Sequence, residues 1–436
     1  MASNRDRDVL VHVGPGTPMG DFMRQYWIPA ALSEEFKADG DPVRLKLLGE
    51  ELIGFRDSDG KVGIMDHRCR HRCASLFFGR NEEGGIRCVY HGWKFDADGN
   101  CVDMANVPPH QDFKHKVHAK AYRTAERNGL IWVFMGDQAK VPSLPMIEAT
   151  LVAERDNNID VFMRECNWLQ SLEGDLDTSH VDFLHGGHRK FGDFDKSDLT
   201  RFGALRRDPE YDVREADWGA IYGAYRPASS GQTYWRIGQF MFPFWSITPS
   251  AAFDLQVYAR AWVPLDDHHS MSFRIVWKEG RRRGVRLDST SGTVVGNTSH
   301  LPNTTDWLGR YRLVANKAND YLVDRTEQRE GTYTGIAGIS QQDQMVTESM
   351  GPITDWDFEH LAPSDHMITM IRRRLLNAVN AYRKNGVRPP LADNPDGYYQ
   401  AHGGFLEAPE NMDMMELYRR KLEETRANIP YAVAAE

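Results

Sequence analysis

Four residues of this 436-residue chain are spaced to hold a metal cluster. Cys69 and His71 stand in Cys69-Arg70-His71, and after sixteen residues Cys88 and His91 stand in Cys88-Val89-Tyr90-His91. Each half offers one thiolate and one imidazole. Structural zinc sites usually pair cysteine with cysteine and histidine with histidine, whereas each half here mixes the two. A Rieske [2Fe–2S] centre requires that mixture, two thiolates on one iron and two imidazoles on the other, and the neutral ligands raise its potential. Cys73 reads as a small buried neighbour of the cluster, and Cys101 and Cys166 as packing residues.

A second set lies in the run from Glu173 to His185. Asp177 and His180 are three apart and share a helix face. His185, five past His180, falls about 140° away on an ideal α-helix. Both imidazoles reach one ion only if the helix loosens or ends, and Gly186-Gly187 is a natural place for that. Two imidazoles and one carboxylate leave positions open for substrate and dioxygen, the arrangement of non-heme Fe(II) oxygenases. The third ligand comes from elsewhere: Asp343 is the choice, with Glu348 and Asp355 as rivals. A one-electron cluster in the same chain gives such an iron its source of electrons.

The elements that position these residues fall into two parts. Short strands at 43–48, 51–55, 62–65, 86–89, 101–104 and 130–134, with an Asn128-Gly129 hairpin turn, predict a small antiparallel β domain. A proline-bearing stretch at 140–145 reads as a linker. Beyond it come a helix at 168–184, strands at 211–225, 233–242, 252–263 and 270–277, a helix at 364–384 with Ser364 as N-cap, a loop-like stretch at 389–409, and a last helix at 412–426.

The 53 basic and 62 acidic residues sum to −9 with histidine neutral, which argues against a nucleic-acid partner. Arg281-Arg282-Arg283 reads as a solvated turn. The charged N-terminus, the lack of a long apolar stretch and the odd number of cysteines suggest a cytoplasmic protein without membrane spans or a disulfide framework.

With both constellations in place, the chain resembles the oxygenase (alpha) subunit of Rieske non-heme iron aromatic-ring-hydroxylating oxygenases, in the phthalate dioxygenase-like group. The residues from Val13 to Gly20, from Cys166 to Gln170, and Gln342-Asp343 with Glu348 to Ile353 carry the likeness. It implies an α+β fold: an N-terminal segment (1–41) packing on the catalytic domain, an antiparallel β Rieske domain (42–140), and a helix-grip catalytic domain (141–436) with an antiparallel sheet. It implies one [2Fe–2S] cluster on Cys69, His71, Cys88 and His91, and one mononuclear Fe(II) on His180, His185 and Asp343. It makes Asp177 the bridge from His180 to His91 of a neighbouring subunit, hence a homotrimer or stacked trimers. Glu173 stands where the family often has asparagine, and Asp175 is read as facing solvent.

The implied reaction is O2-dependent hydroxylation of a small aromatic substrate, of phthalate or substituted-benzoate type. NADH is used by a separate flavin and [2Fe–2S] reductase, since no glycine-rich nucleotide fingerprint appears here. Aryl-ether O-demethylation is the alternative within the family, and an electron carrier or a zinc-stabilised binding protein are the alternatives outside it. A substrate carboxylate would need an arginine, with Arg207, Arg226 and Arg236 as candidates. Phe240, Phe242, Phe244 and Trp245 suit either an aromatic pocket or a core strand.

Overall fold

The computed structural model describes residues 3–188, 190–195, 198–279 and 299–432. The Arg281-Arg282-Arg283 run lies outside them. Strands β1 (Trp27–Leu32), β2 (Val43–Leu47), β3 (Glu50–Arg56), β4 (Val62–Asp66), β9 (Ala121–Arg127) and β10 (Leu130–Phe134) form an antiparallel sheet in the order β1-β10-β9-β4-β3-β2. β5 (Arg80–Glu82), β6 (Gly85–Arg87), β7 (Trp93–Phe95) and β8 (Cys101–Met104) form a second sheet. Both residues of the Asn128-Gly129 turn have positive φ, 57° and 73°, the backbone of a tight hairpin. Ile53, Phe55, Met65, Leu76, Ile86 and Phe95 make this region's own core.

The larger sheet runs β11 (Asn157–Arg164), β17 (Ser270–Trp277), β16 (Tyr258–Pro264), β15 (Trp245–Ile247), β14 (Gln232–Met241), β13 (Gly219–Pro227) and β12 (Glu210–Ala216), with β18 (Gly404–Pro409) also paired to β14. Helix α3 (Trp168–Leu176) buries Trp168, Leu169, Leu172 and Leu176 against it. The short helices α1 (Asn4–Val11), α2 (Pro18–Met23), α4 (Arg201–Leu205) and α5 (Arg325–Glu330), then α6 (Ile339–Ser349), α7 (His366–Asn385) and α8 (Met414–Arg426), complete the α+β fold. α7 buries Met367, Ile371, Leu375 and Val379 and stops at Gly386, which is left-handed (φ 65°). No described helix is long and apolar enough to cross a membrane.

Several expectations are corrected. Within residues 1–41, α1 and α2 pack on α7, but β1 is an edge strand of the β domain, paired with β10. The run at 211–225 is a hairpin, because Asp217-Trp218 turns the chain between β12 and β13. The strand expected from 252 starts only at Tyr258. The loop-like stretch at 389–409 contains β18, whose six residues complete the edge of β14. Ser364 is no N-cap: a 3-10 turn, Pro363–Asp365, leads into α7, and the Asp365 carboxylate accepts the Ala362 N–H at 2.6 Å.

The two regions share packing, with Trp132 stacked on Trp245, and are joined by hydrogen bonds and ion pairs. Leu48 and Gly49 donate their N–H groups to the carbonyls of Pro264 and Leu265, and Lys46 pairs with Asp266 at 3.1 Å.

Candidate active site: two metal centres

Cys69 and Cys88 head two loops of the same backbone plan. The N–H of the fourth residue on, Cys73 or Gly92, returns to the cysteine carbonyl at 2.9 Å in both. That corner residue is left-handed in each case, φ 60° at Cys73 and 76° at Gly92. Cys73 is therefore a loop corner with an exposed side chain, not a buried neighbour of the cluster. Cys101 and Cys166 are buried as packing residues.

The thiols of Cys69 and Cys88 are buried, and the rings of His71 and His91 face each other with centroids 4.4 Å apart. His71 lies flat on Trp93, 4.6 Å away with 11° between planes. The Nδ1 atoms of both histidines are buried without a hydrogen-bond partner among the described residues, a condition a folded chain rarely leaves unanswered. Burial pushes the Cys69 thiol up to about 12; facing backbone N–H groups oppose this and the Cys88 thiol adds to it. Such a thiol becomes a thiolate when a metal replaces its proton. Two thiols and two imidazoles with orphaned nitrogens fit a Rieske cluster.

α3 ends at Leu176 because Asp177 leaves the helix, at φ −81° and ψ 104°. Its Oδ1 accepts the N–H and hydroxyl of Ser179 at 2.8 and 2.7 Å, an Asx turn. Its Oδ2 lies 3.5 Å from His180 Nδ1. The next turn, Val181–His185, is π-wound, with the Gly186 N–H on the Val181 carbonyl at 2.8 Å. This wider wind swings His185 round to His180. The loosening that the five-residue spacing requires thus precedes Gly186-Gly187, and the single helix expected over 168–184 is broken in two. Asp182 in the π-turn is held by Arg226, Nη1 to Oδ2 at 2.7 Å.

α6 brings Asp343 to the same place. His180 Nε2 and His185 Nε2 are 3.2 Å apart, and Asp343 Oδ1 lies 3.0 Å from His185 Nε2 and 3.6 Å from His180 Nε2. Among the described residues no other three His, Cys, Asp or Glu side chains converge in this way. Donors about 2 Å from one ion stand about 3 Å apart, so the triad fits a single metal. His185 Nδ1 donates to Gln342 Oε1 at 2.7 Å, and Gln342 Nε2 donates to the Ile336 carbonyl at 2.9 Å, which fixes the amide's orientation. That contact keeps a proton on Nδ1, so a metal at the triad would displace only the proton on Nε2. Burial disfavours the Asp343 carboxylate, but His185 and His180 hold it well below the usual range. The rivals are engaged elsewhere: Glu348 accepts from Glu165 N and Tyr321 OH, and Asp355 from Asn4.

Residues 26–120 match the Rieske [2Fe-2S] domain family, and residues 133–392 match the family described as LigXa C-terminal domain like. A 3-chlorobenzoate-3,4-dioxygenase oxygenase subunit from Comamonas testosteroni is 44% identical over 97% of this chain and 99% of that one. The chain belongs to the Rieske non-heme iron oxygenases. A phthalate 4,5-dioxygenase oxygenase subunit from Pseudomonas putida is 34% identical over 88% of this chain and 87% of its own. Dicamba monooxygenase bound to 3,6-dichlorosalicylic acid shares the fold at a TM-score of 0.54, with 16% identity over 84% of this chain and 100% of that one. This Rieske oxygenase is thus an oxidoreductase, the oxygenase component of a multicomponent system. It carries a Rieske cluster and a mononuclear iron and takes electrons from a separate reductase.

The remaining candidates of the Rieske oxygenase separate clearly. Arg226 is buried and bound to Asp182 and the Arg206 carbonyl. Arg207 donates to the Gly187 carbonyl and lies over Phe183. Arg236 donates from Nε to Thr178 Oγ1 at 2.8 Å, its charge acts on His180, and no carboxylate among the described residues pairs with it. Phe240, Phe242, Phe244 and Trp245 are core residues, with Phe242 against Phe22 and Trp245 stacked on Trp132. Asp175, expected in solvent, is buried and accepts from Arg260, Trp262 and Ser246. Gln342 was noted only as part of the family likeness, and its role as the partner of His185 escaped the sequence reading, although a polar side chain beside Asp343 was the available signal.

Proposed function

We propose that this Rieske oxygenase hydroxylates an aromatic carboxylate of phthalate or substituted-benzoate type. The observation that carries the reading is Arg236, a guanidinium whose charge acts on His180 and which forms no ion pair with a carboxylate among the described residues. Tyr222 and Tyr234 stand next to it with buried hydroxyls. A planar fork of donors suits a substrate carboxylate, and the names of the 3-chlorobenzoate and phthalate relatives agree with it.

In this proposal Cys69, His71, Cys88 and His91 hold the cluster, and His180, His185 and Asp343 hold the iron. Bound there, the two centres supply single electrons and the activation of O2. Gln342 keeps the His185 proton on Nδ1. Asp177 steadies His180 on one side and accepts from His91 of a neighbouring copy on the other, in a cyclic trimer or stacked trimers. The exposed Val89 and Tyr90 at the cluster loop, 60% and 55% exposed, support such a cover; a closed ring of heterologous contacts provides it.

The test is turnover with NADH and a flavin–[2Fe–2S] reductase on benzoate, 3-chlorobenzoate and phthalate beside their methyl esters. Oxygenated products from the acids are expected. Products from the esters alone would sink the carboxylate assignment.

A further inference from the structure

Three buried charges outside the two ligand sets gather around the Trp262 ring. Arg164 lies over it at 4.7 Å and Arg260 at 5.4 Å. Asp175 takes Arg260 Nη1 at 2.5 Å, Trp262 Nε1 at 2.8 Å and Ser246 Oγ at 2.6 Å, so the charge of Arg260 is paired although its Nε closes no hydrogen bond among the described residues. Arg164 is not so paired. It is 1% exposed, and its hydrogen bonds go to Thr347 Oγ1 at 3.0 Å and the Ser340 carbonyl at 3.4 Å, both on α6. Its Nε has no partner, and no carboxylate among the described residues lies within ion-pairing distance. A buried cation left in this way is costly unless an opposite charge is close. The strongest opposite charge acting on it is that of Asp343, four residues before Thr347 on the same helix.

We propose that Arg164 is a positioning residue for the mononuclear iron: it fastens α6 and serves as the counter-ion behind Asp343, favouring the ferrous over the ferric state. This rests on the reading of His180, His185 and Asp343 as the iron site. A fixed positive charge behind a ligand disfavours the more highly charged metal. Arg260, already paired with Asp175, adds little net charge.

The test uses the holoenzyme in an anaerobic redox titration followed by the ferric high-spin EPR signal. Arg164→Gln keeps an amide donor toward Thr347 and removes the charge. At the wild-type midpoint its ferric-to-ferrous ratio should rise on the order of tenfold, while Arg164→Lys stays within about twofold of wild type. Asp175→Asn, which frees the charge of Arg260, should move the ratio the opposite way. The Rieske signal and its own titration serve as the control and should not move. An unchanged ratio in Arg164→Gln would overturn the proposal whatever Asp175→Asn does; if Arg164→Gln does not fold, Arg164→Met, which also removes the charge, is read in the same way and decides it. Iron content reads the underlying assignment separately. Two irons per chain, those of the cluster alone, would overturn the triad as the iron site, whereas three irons with unmoved ratios would overturn only the role of Arg164.

Discussion

Gln342 Oε1 accepts the Nδ1–H of His185 at 2.7 Å, and the same amide gives its own N–H to the Ile336 carbonyl. The side chain thereby sets both the tautomer and the ring plane of His185. Outer partners of this kind are worth about 10- to 100-fold in metal affinity. Gln342→Leu should lose mononuclear iron at a chelator concentration about 10- to 100-fold lower than wild type does. Iron per chain, read beside an unchanged cluster spectrum, checks this; equal retention would show that Gln342 does not steady the ligand.

Arg236 should govern affinity for the acid and not the chemistry that follows. A hydrogen bond to a charged group contributes about 1.5–3 kcal/mol. Arg236→Gln should therefore raise KM for an aromatic acid about 10- to 100-fold, while an uncharged analogue is turned over as before. Steady-state O2 consumption with both compounds gives the answer, and an equal loss on both would point to a structural role.

Glu173 and Arg372 form a buried bidentate pair, with contacts of 2.6 and 2.7 Å, that joins α3 to α7. Glu359 also reaches Arg372. Truncating one member leaves the other partly uncompensated, so Glu173→Ala should lower unfolding free energy by about 3 kcal/mol. Arg372→Met in the same chain should recover part of it. Urea unfolding of the two variants compares them directly; a double variant no better than the single one would contradict the pairing argument.

Acid should weaken the Lys46–Asp266 contact between the two regions. Burial alone would raise the Asp266 carboxyl, but the His269 ring, the His268 N–H and Lys46 hold it well below its ordinary value. A carboxyl depressed on folding stabilises above its unfolded value of about 3.9, and that stabilisation is lost as pH falls through the folded value. Asp266→Asn should lower Tm at pH 7, with the gap to wild type closing in acid below about pH 4. A gap independent of pH would exclude the charge as its source.

The cluster was legible in the sequence because its four ligands come in two tight local groups, each at a strand end. The iron histidines were legible as types, but their geometry was not. Side-chain spacing assumes a regular helix, and the π-turn at Val181–His185 belongs to a fold in which Arg226, some forty residues away in the chain, grips Asp182. Asp175 was misplaced for a similar reason. A charge in a helix with polar neighbours looks solvated until Arg260 and Trp262 arrive from a distant strand. β18 was hidden by its short length, since pairing with β14 and not its own pattern makes it a strand.

The π-turn also restricts how this segment can change over generations. Phe183, in its middle, is 45% exposed, so substitutions there meet little steric resistance. Length is another matter. Removing one residue between His180 and His185 would return the turn to ordinary winding and bring a four-residue spacing, while adding one would carry the second imidazole past its partner. Drift can therefore proceed by replacement at Phe183, while Asp182 stays tied to Arg226 and insertion or deletion is hardly tolerated anywhere in the turn, so natural variants should differ at 183 in letter but not in count.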